Sequence, residues 1–169
     1  MSYLNLMKLM YLAERESILR YGARLTGDAM VSLPRGPVLS KTCNLFTMGC
    51  ELSTWADWIA GEADYELSFK KMKEVDPSDP LEFFDELSEA EAQILDEMFA
   101  KYGHLNRWVL VALTHDPTVC PEWSDPHVSS KPIDVRKIFA SRYPQEYVEH
   151  AVENLREADS ARALARALV

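Results

Sequence analysis

The chain has 169 residues, a length typical of one domain that can bury a proper core without disulfides or metals. Hydrophobic residues make up 47% and charged residues 27%, which excludes wholesale disorder. The 18 lysines and arginines stand against 27 acidic residues, and the formal charge of −9 argues against binding to nucleic-acid phosphates. Three cysteines provide no disulfide framework, and no apolar run reaches membrane-spanning length, so the composition predicts a cytoplasmic protein.

The first predicted element is a helix over residues 3–21. Its apolar side chains recur on one face at helical spacing and include Leu4, Met7, Met10 and Tyr11. Gly22 follows, and glycine commonly ends a helix in the left-handed conformation. Residues 29–33 are then predicted to form a short strand, which Pro34 ends.

Two helices and one strand are predicted in the middle of the chain. The first helix covers residues 36–48, because proline is tolerated in the first turn of a helix. A shorter helix contains Trp58 and ends at Gly61. Residues 65–69 alternate apolar and polar side chains, which indicates a strand that pairs with residues 29–33.

Capping residues predict where the next helices begin. The acidic residues 76–86 are predicted as a loop with at most a short helix. Ser88 and Glu91 form a capping box, and the helix that they begin is closed by Gly103. Asn106 caps the following helix. The predicted core face of that helix consists of Trp108, Val109, Ala112 and Leu113.

The last third of the chain contains a long loop and two helices. Four prolines mark residues 115–132 as this loop. Asp134 caps a short helix, and the last helix covers residues 144–167. Its apolar side includes Tyr147, Val148, Ala151, Val152 and Leu155. The elements together predict a single α+β domain over residues 1–169, mainly helical, with about six to eight helices and a small antiparallel sheet of two or three strands.

No set of residues supports an enzyme. His115, Cys120 and His127 lie in one loop, with Asp116 and Asp125 as further donors, but their spacing matches no standard zinc site. Nucleophile-elbow and phosphate-loop motifs are absent from the sequence. The prediction is a protein without catalytic residues, metal or other cofactor. A metal-dependent module that uses His115 and Cys120 is the less favoured alternative.

Residues 26–40 are the most unusual segment. Two glycines and two prolines fix its backbone path, and Asp28 is expected to accept hydrogen bonds from the amides of the turn. The residues alone leave two interpretations open. The segment is either a well-determined strand–turn–helix junction or a recognition surface with Arg35 at its tip.

Two blocks of the chain carry a recognisable pattern. The first block covers residues 8–40 and consists of Lys8, Leu9, Tyr11, Leu12, Ala13, Thr26, Gly27, Asp28, Gly36, Pro37, Val38 and Ser40. The second covers residues 87–125 and contains a Leu-Thr-His-Asp motif around His115 and a Pro-Glu-Trp motif that ends at Trp123. Both blocks, in this order, resemble the Panacea domain. This is the SocA-like antitoxin family, also described as phage-associated and GepA-like.

The resemblance implies an antitoxin that binds directly to a cognate toxin encoded nearby and so neutralises it. Family members are paired with very different toxins, so the resemblance does not identify the toxin of this protein. One family branch delivers its toxin to a ClpXP-type protease, and this adaptor role is the alternative function. Family members usually have a helix ahead of the Lys-Leu-x-Tyr-Leu segment, so a preceding element is expected to be missing here.

Contacts to the toxin are expected on the exposed side of the first helix and at the tip of the motif. Tyr11, Arg15 and Arg35 are the candidate residues, because tyrosine and arginine are enriched among interface hot spots. A membrane is not expected as a partner. Nucleic acid is not expected either, because the basic residues form no recognition surface.

Overall fold

The computed structural model describes residues 1–47, 57–61, 65–71 and 74–168. Within these ranges the chain forms seven helices and five short strands, which confirms the predicted, mainly helical α+β fold. The helices are α1 (Tyr3–Tyr21), α2 (Ser40–Thr47), α3 (Pro80–Phe83), α4 (Glu89–Tyr102), α5 (Arg107–His115), α6 (Val135–Ala140) and α7 (Gln145–Ala167). The strands are β1 (Met30–Leu33), β2 (Gly36–Leu39), β3 (Ile59–Gly61), β4 (Leu67–Phe69) and β5 (Lys131–Pro132).

Helix α1 lies at the centre of the fold and packs against α4, α5, α6 and β2. Ser2 caps its first turn by accepting the Asn5 N–H, and Gly22 ends it at φ +62°, as predicted. The polar side chains of Lys8 and Glu14 are fully buried together with the apolar ones. The neighbours of α1 must therefore supply polar partners as well as apolar contacts.

Strands β1 and β2 form a hairpin, and β5 extends the sheet in the order β2-β1-β5. The helix predicted over residues 36–48 is therefore wrong in its first four residues, and α2 begins only at Ser40. The tight turn between β1 and β2 explains why no helix forms there. Leu33 pairs with Gly36, whose φ of +95° returns the chain as a second strand. The predicted end of this helix lies outside the described residues.

A second, two-stranded sheet corrects two further predictions. The strand predicted over residues 65–69 exists as β4, but it pairs with β3 and not with β1. The sequence predicts the end of a helix where β3 lies, and the start of that helix falls outside the described residues. Pairing with β4 gives the backbone groups along one edge of β3 hydrogen-bond partners. Trp58 packs on the rings of Phe69 and Phe83.

The core is formed mainly by side chains of α1 and of helices α4 to α7. Of the predicted core face of α5, only Leu113 packs against the core, whereas Trp108, Val109 and Ala112 are exposed. The buried residues of this helix are Leu110 and Thr114. This helix is apolar almost all round, so its periodicity does not single out one face. The predicted apolar side of α7 is largely correct, because Val148, Val152 and Leu155 are buried. Tyr147 is the one residue of that predicted side that is exposed.

Three of the helices begin at the predicted caps. Ser88 and Glu91 form the complete capping box of α4, Asn106 caps α5, and Asp134 caps α6. None of the helices in the described ranges is both long and apolar enough to cross a bilayer.

Candidate functional site

Three polar side chains on one face of α1 bond to other parts of the fold. Lys8, Tyr11 and Arg15 follow one another at spacings of three and four, which places them on one face of the helix. Glu122, from the loop after α5, lies against this face. Its Oε1 accepts hydrogen bonds from the Tyr11 hydroxyl at 2.5 Å and from Arg15 Nε at 2.8 Å. Arg15 also donates to Ser141 Oγ at 2.8 Å, so one side chain connects α1, the loop and the end of α6.

The charged groups of this hydrogen-bond network are shielded from water, so their interactions with one another are strong. The side chain of Glu122 is 0% exposed and that of Arg15 is 12% exposed. Burial and the neighbouring Glu122 carboxylate raise the pKa of Tyr11 well above its usual value, so the phenol remains a hydrogen-bond donor. Removal of one partner would leave the other as a buried, uncompensated charge. The network is therefore a structural clamp between α1 and the loop.

Lys8 connects α1 to the hairpin. Its Nζ donates to the carbonyl oxygen of Pro37 at 2.9 Å, and burial lowers the pKa of this amine to about 7. Gly36 packs closely against Lys8 and Thr114. A Cβ added at Gly36 would stand 2.7 Å from Lys8 Nζ and 2.8 Å from Thr114 Oγ1. The Gly-Pro pair of the motif therefore brings the backbone of β2 into close contact with both α1 and α5.

Asp28 and Glu14 hold the segment between α1 and α2. The backbone N–H and the hydroxyl of Thr26 donate to Glu14 Oε2 at 2.8 and 2.9 Å. Asp28 accepts the Ala29 N–H at 2.6 Å, as expected for a turn. It also accepts the Lys41 and Thr42 N–H groups at 3.0 and 2.8 Å, so it caps α2.

His115 and Trp123 fix the long loop on the hairpin. Their rings stack with centroids 4.0 Å apart and an interplanar angle of 11°. Trp123 Nε1 donates to the carbonyl oxygen of Leu33 at 3.2 Å. Burial and the nearby Lys8 lower the pKa of His115. The two motif residues of the second block therefore stabilise the position of the loop.

The structure does not bring the possible metal ligands of this loop together. Cys120 is buried, and burial raises the pKa of its thiol to about 12. His127 is on the surface with 86% of its side chain exposed, while the His115 ring is stacked on Trp123. In the part of the chain that the structure describes, no group of three or more His, Cys, Asp or Glu side chains is placed to hold a metal ion.

Comparison with known families gives one match. Residues 6–124, more than two-thirds of the chain, match the family described as Antitoxin SocA-like, Panacea domain. The chain belongs to this family. No curated protein and no solved structure gives a match. The matched part of this Panacea domain runs from α1 through the loop that carries Glu122 and Trp123, and α6 and α7 follow it.

The Panacea motif residues are largely buried, which changes the list of contact candidates. The expected exposure of Tyr11 is wrong, because its ring is 0% exposed beneath the loop that carries Glu122. Arg15 is held by the same carboxylate. Arg35, at the tip of the hairpin, is exposed and makes no hydrogen bond or ion pair with the described residues.

Two features of this Panacea domain were missed by the sequence analysis. The first is Glu122, the carboxylate that joins Tyr11 to Arg15. An arginine and a lysine on the same helix face as buried apolar residues were the available signal, because buried cations need an anionic or carbonyl partner. The second is an apolar cavity of about 250 Å³ beside Arg35, lined by α1, the hairpin and α2. Its position depends on tertiary packing and has no signal in the sequence.

Proposed function

We propose that this Panacea-domain protein binds a toxin encoded beside it and neutralises the toxin by this binding alone. The observation that carries the proposal is the family match over residues 6–124, because the family is described as antitoxin. The match includes the helix, the hairpin and the loop whose contacts define the fold. A family of antitoxins implies a toxin as partner, and a role in binding rather than in catalysis.

The placement of the titratable side chains supports binding over chemistry. Tyr11, Glu14 and Cys120 have raised pKa values, the pattern that often marks catalytic groups. All three are buried inside the domain, and Tyr11 and Glu14 are engaged in its internal hydrogen bonds. Buried structural networks displace pKa values by the same physics. These three buried groups therefore support a structural role.

The test is expression of each neighbouring gene product alone and together with this protein. We expect one neighbour to arrest growth, its co-expression with this protein to restore growth, and the two proteins to co-purify. Gly36→Val serves as the control, because it disrupts the fold and should abolish both rescue and co-purification. If no neighbour is toxic, or if a toxic neighbour is neither bound nor neutralised, the antitoxin proposal is wrong.

The same experiment in cells without ClpXP separates direct neutralisation from the adaptor function. Direct binding predicts full rescue with an unchanged amount of toxin. An adaptor requires the protease, so rescue would be lost in these cells and the toxin would persist on an immunoblot.

A further inference from the structure

Three cavities adjoin along the start of α1 and form one groove, which we call the tip groove. The first cavity, of about 250 Å³, and the second, of about 240 Å³, share Leu4 and Arg35 in their walls. The second and the third, of about 770 Å³, share Tyr65 and Arg107. The tip groove therefore runs from the tip of the hairpin to the first turn of α5.

One end of the tip groove is apolar. The walls of the 250 Å³ cavity include Leu4, Met7, Leu33 and Val38. An apolar cavity of about 150 Å³ is enough to hold a benzene ring. The cavity at the hairpin tip therefore has room for one large apolar side chain of a bound partner.

The middle of the tip groove carries two arginines, Arg35 and Arg107. Among the arginines whose side chains the structure describes, only Arg35 and Arg107 have neither an ion pair nor a hydrogen bond to a described residue. The guanidinium of Arg107 instead lies over the Trp108 ring, 5.7 Å from its centroid. Glu66, a carboxylate in the wall of the groove, already pairs with the amino group of Met1 at 3.2 Å.

Exposed aromatic rings border the same two arginines. Tyr65 is 72% exposed and Trp108 is 56% exposed, and both line the middle cavity. Arginine, tyrosine and tryptophan are the residues most enriched in binding hot spots. In a chain of net charge −9, this surface combines local positive charge with exposed aromatic area.

We infer that the tip groove binds a segment of the toxin that places a large apolar side chain in the 250 Å³ cavity and carboxylates on Arg35 and Arg107. The inference rests on the proposed antitoxin function and specifies its contact surface. A guanidinium matches a carboxylate with two parallel hydrogen bonds, and such pairs determine register and partner choice. An acidic segment is therefore the complement of this site, although the chain as a whole has a net charge of −9.

The test measures binding of the full-length chain to the toxic neighbour by titration calorimetry. Arg35→Glu combined with Arg107→Glu should weaken binding on the order of 100-fold, because repulsion adds to lost contacts. Lys137→Glu combined with Arg156→Glu makes the same change in charge on α6 and α7, and binding should stay within about threefold of wild type. Thermal unfolding of all variants checks that each is folded.

A charge exchange identifies the partner segment. Each Asp and Glu of the toxin is replaced in turn by Arg and tested against the Arg35→Glu, Arg107→Glu variant. At least one replacement should restore binding, and a large apolar residue beside it should lose binding when changed to Ala. Normal binding by the Arg35→Glu, Arg107→Glu variant would overturn the tip groove as the site while leaving the antitoxin function intact.

If wild type binds no toxic neighbour, the proposed function fails, and a random heptapeptide display library tests the tip groove independently. Enrichment of peptides with a large apolar residue next to Asp or Glu on wild type, but not on the Arg35→Glu, Arg107→Glu variant, supports the groove. Absent or equal enrichment on the two proteins overturns it.

Discussion

At Gly36, three parts of the fold approach one another within contact distance. Its φ is +95°, and a methyl group there would meet Lys8 Nζ, Thr114 Oγ1 and His115 Cδ2 at 2.7 to 3.2 Å. Alanine would strain the backbone and also push the hairpin away from α1 and α5. The glycine is therefore required by both conformation and space.

We expect Gly36→Ala to lower the free energy of unfolding by about 3 kcal/mol, from steric overlap and backbone strain together. Gly22→Ala is the matched control, since Gly22 also has a positive φ of +62° but no atom lies within 4 Å of the added Cβ. It should cost only about 1 kcal/mol. Urea unfolding of both variants measures the difference, and equal losses would show that the close packing at Gly36 contributes nothing.

Between elements, Trp123 holds the loop of residues 116–130 on the hairpin. Its ring stacks on His115 and its indole N–H donates to Leu33. The sequence predicts such an anchor, because a large aromatic side chain in a proline-rich loop otherwise exposes much apolar area. The structure confirms that Trp123 packs against the core.

Trp123→Ala should therefore open this loop to proteases. Limited proteolysis should cleave residues 116–130 on the order of 10-fold faster than in wild type, while the rest of the domain remains intact. Trp123→Phe keeps a ring for stacking but lacks the donor, and should give an intermediate rate. Val128→Ala, at a side chain that is 98% exposed in the same loop, should leave the rate unchanged. A loop that is already cleaved quickly in wild type would contradict this account.

Local signals predicted the elements well where a side chain bonds to its own backbone neighbourhood. The extent of α1, the capping box at Ser88 and the caps at Asn106 and Asp134 were predicted correctly for this reason. Strand pairing was predicted poorly. The partner of β4 and the start of β2 depend on contacts between segments, and a run of three or four residues does not encode them.

In the candidate site, too, local features were predicted and contacts between distant segments were not. The sequence identified Asp28 as a turn acceptor and Arg35 as an exposed tip residue, because both follow from a local turn. It counted Tyr11 both on the apolar face of the first helix and among the exposed contact candidates. The first is correct, because the ring is covered by a loop more than one hundred residues away along the chain. The cations on the apolar face of α1 indicated only that a partner is needed. That Glu122 is this partner, and where the tip groove lies, depends on how α1, the hairpin and the loop pack together.

The stability of the protein as a whole depends on the protonation of one buried amine, that of Lys8. Burial lowers the pKa of Lys8 from 10.5 to about 7. Above pH 7 the unfolded chain therefore binds a proton that the folded protein lacks, so the Lys8 contribution makes the fold more stable as the pH rises. The desolvation cost of the charged amine is present in full below pH 7.

The prediction compares wild type with Lys8→Met between pH 7 and pH 9. The free energy of unfolding of wild type should rise by about 2 kcal/mol relative to that of the variant over this range. The comparison cancels the growing repulsion within the acidic chain, which affects both proteins alike. Lys137→Met, at an exposed lysine, should show no such change. Parallel pH profiles of wild type and Lys8→Met would show that Lys8 is charged in the folded state.

The inward orientation of the motif side chains has a consequence for how such a domain diversifies. Lys8, Tyr11 and Asp28 point into the protein, whereas Arg35 and the rings of Tyr65 and Trp108 point outward. Mutation can therefore rewrite the outer set without disturbing the frame that the inner set maintains. With the outer side chains as the contacts to the toxin, a few surface substitutions would suffice to change the partner, while the buried motif would keep the domain folded and recognisable.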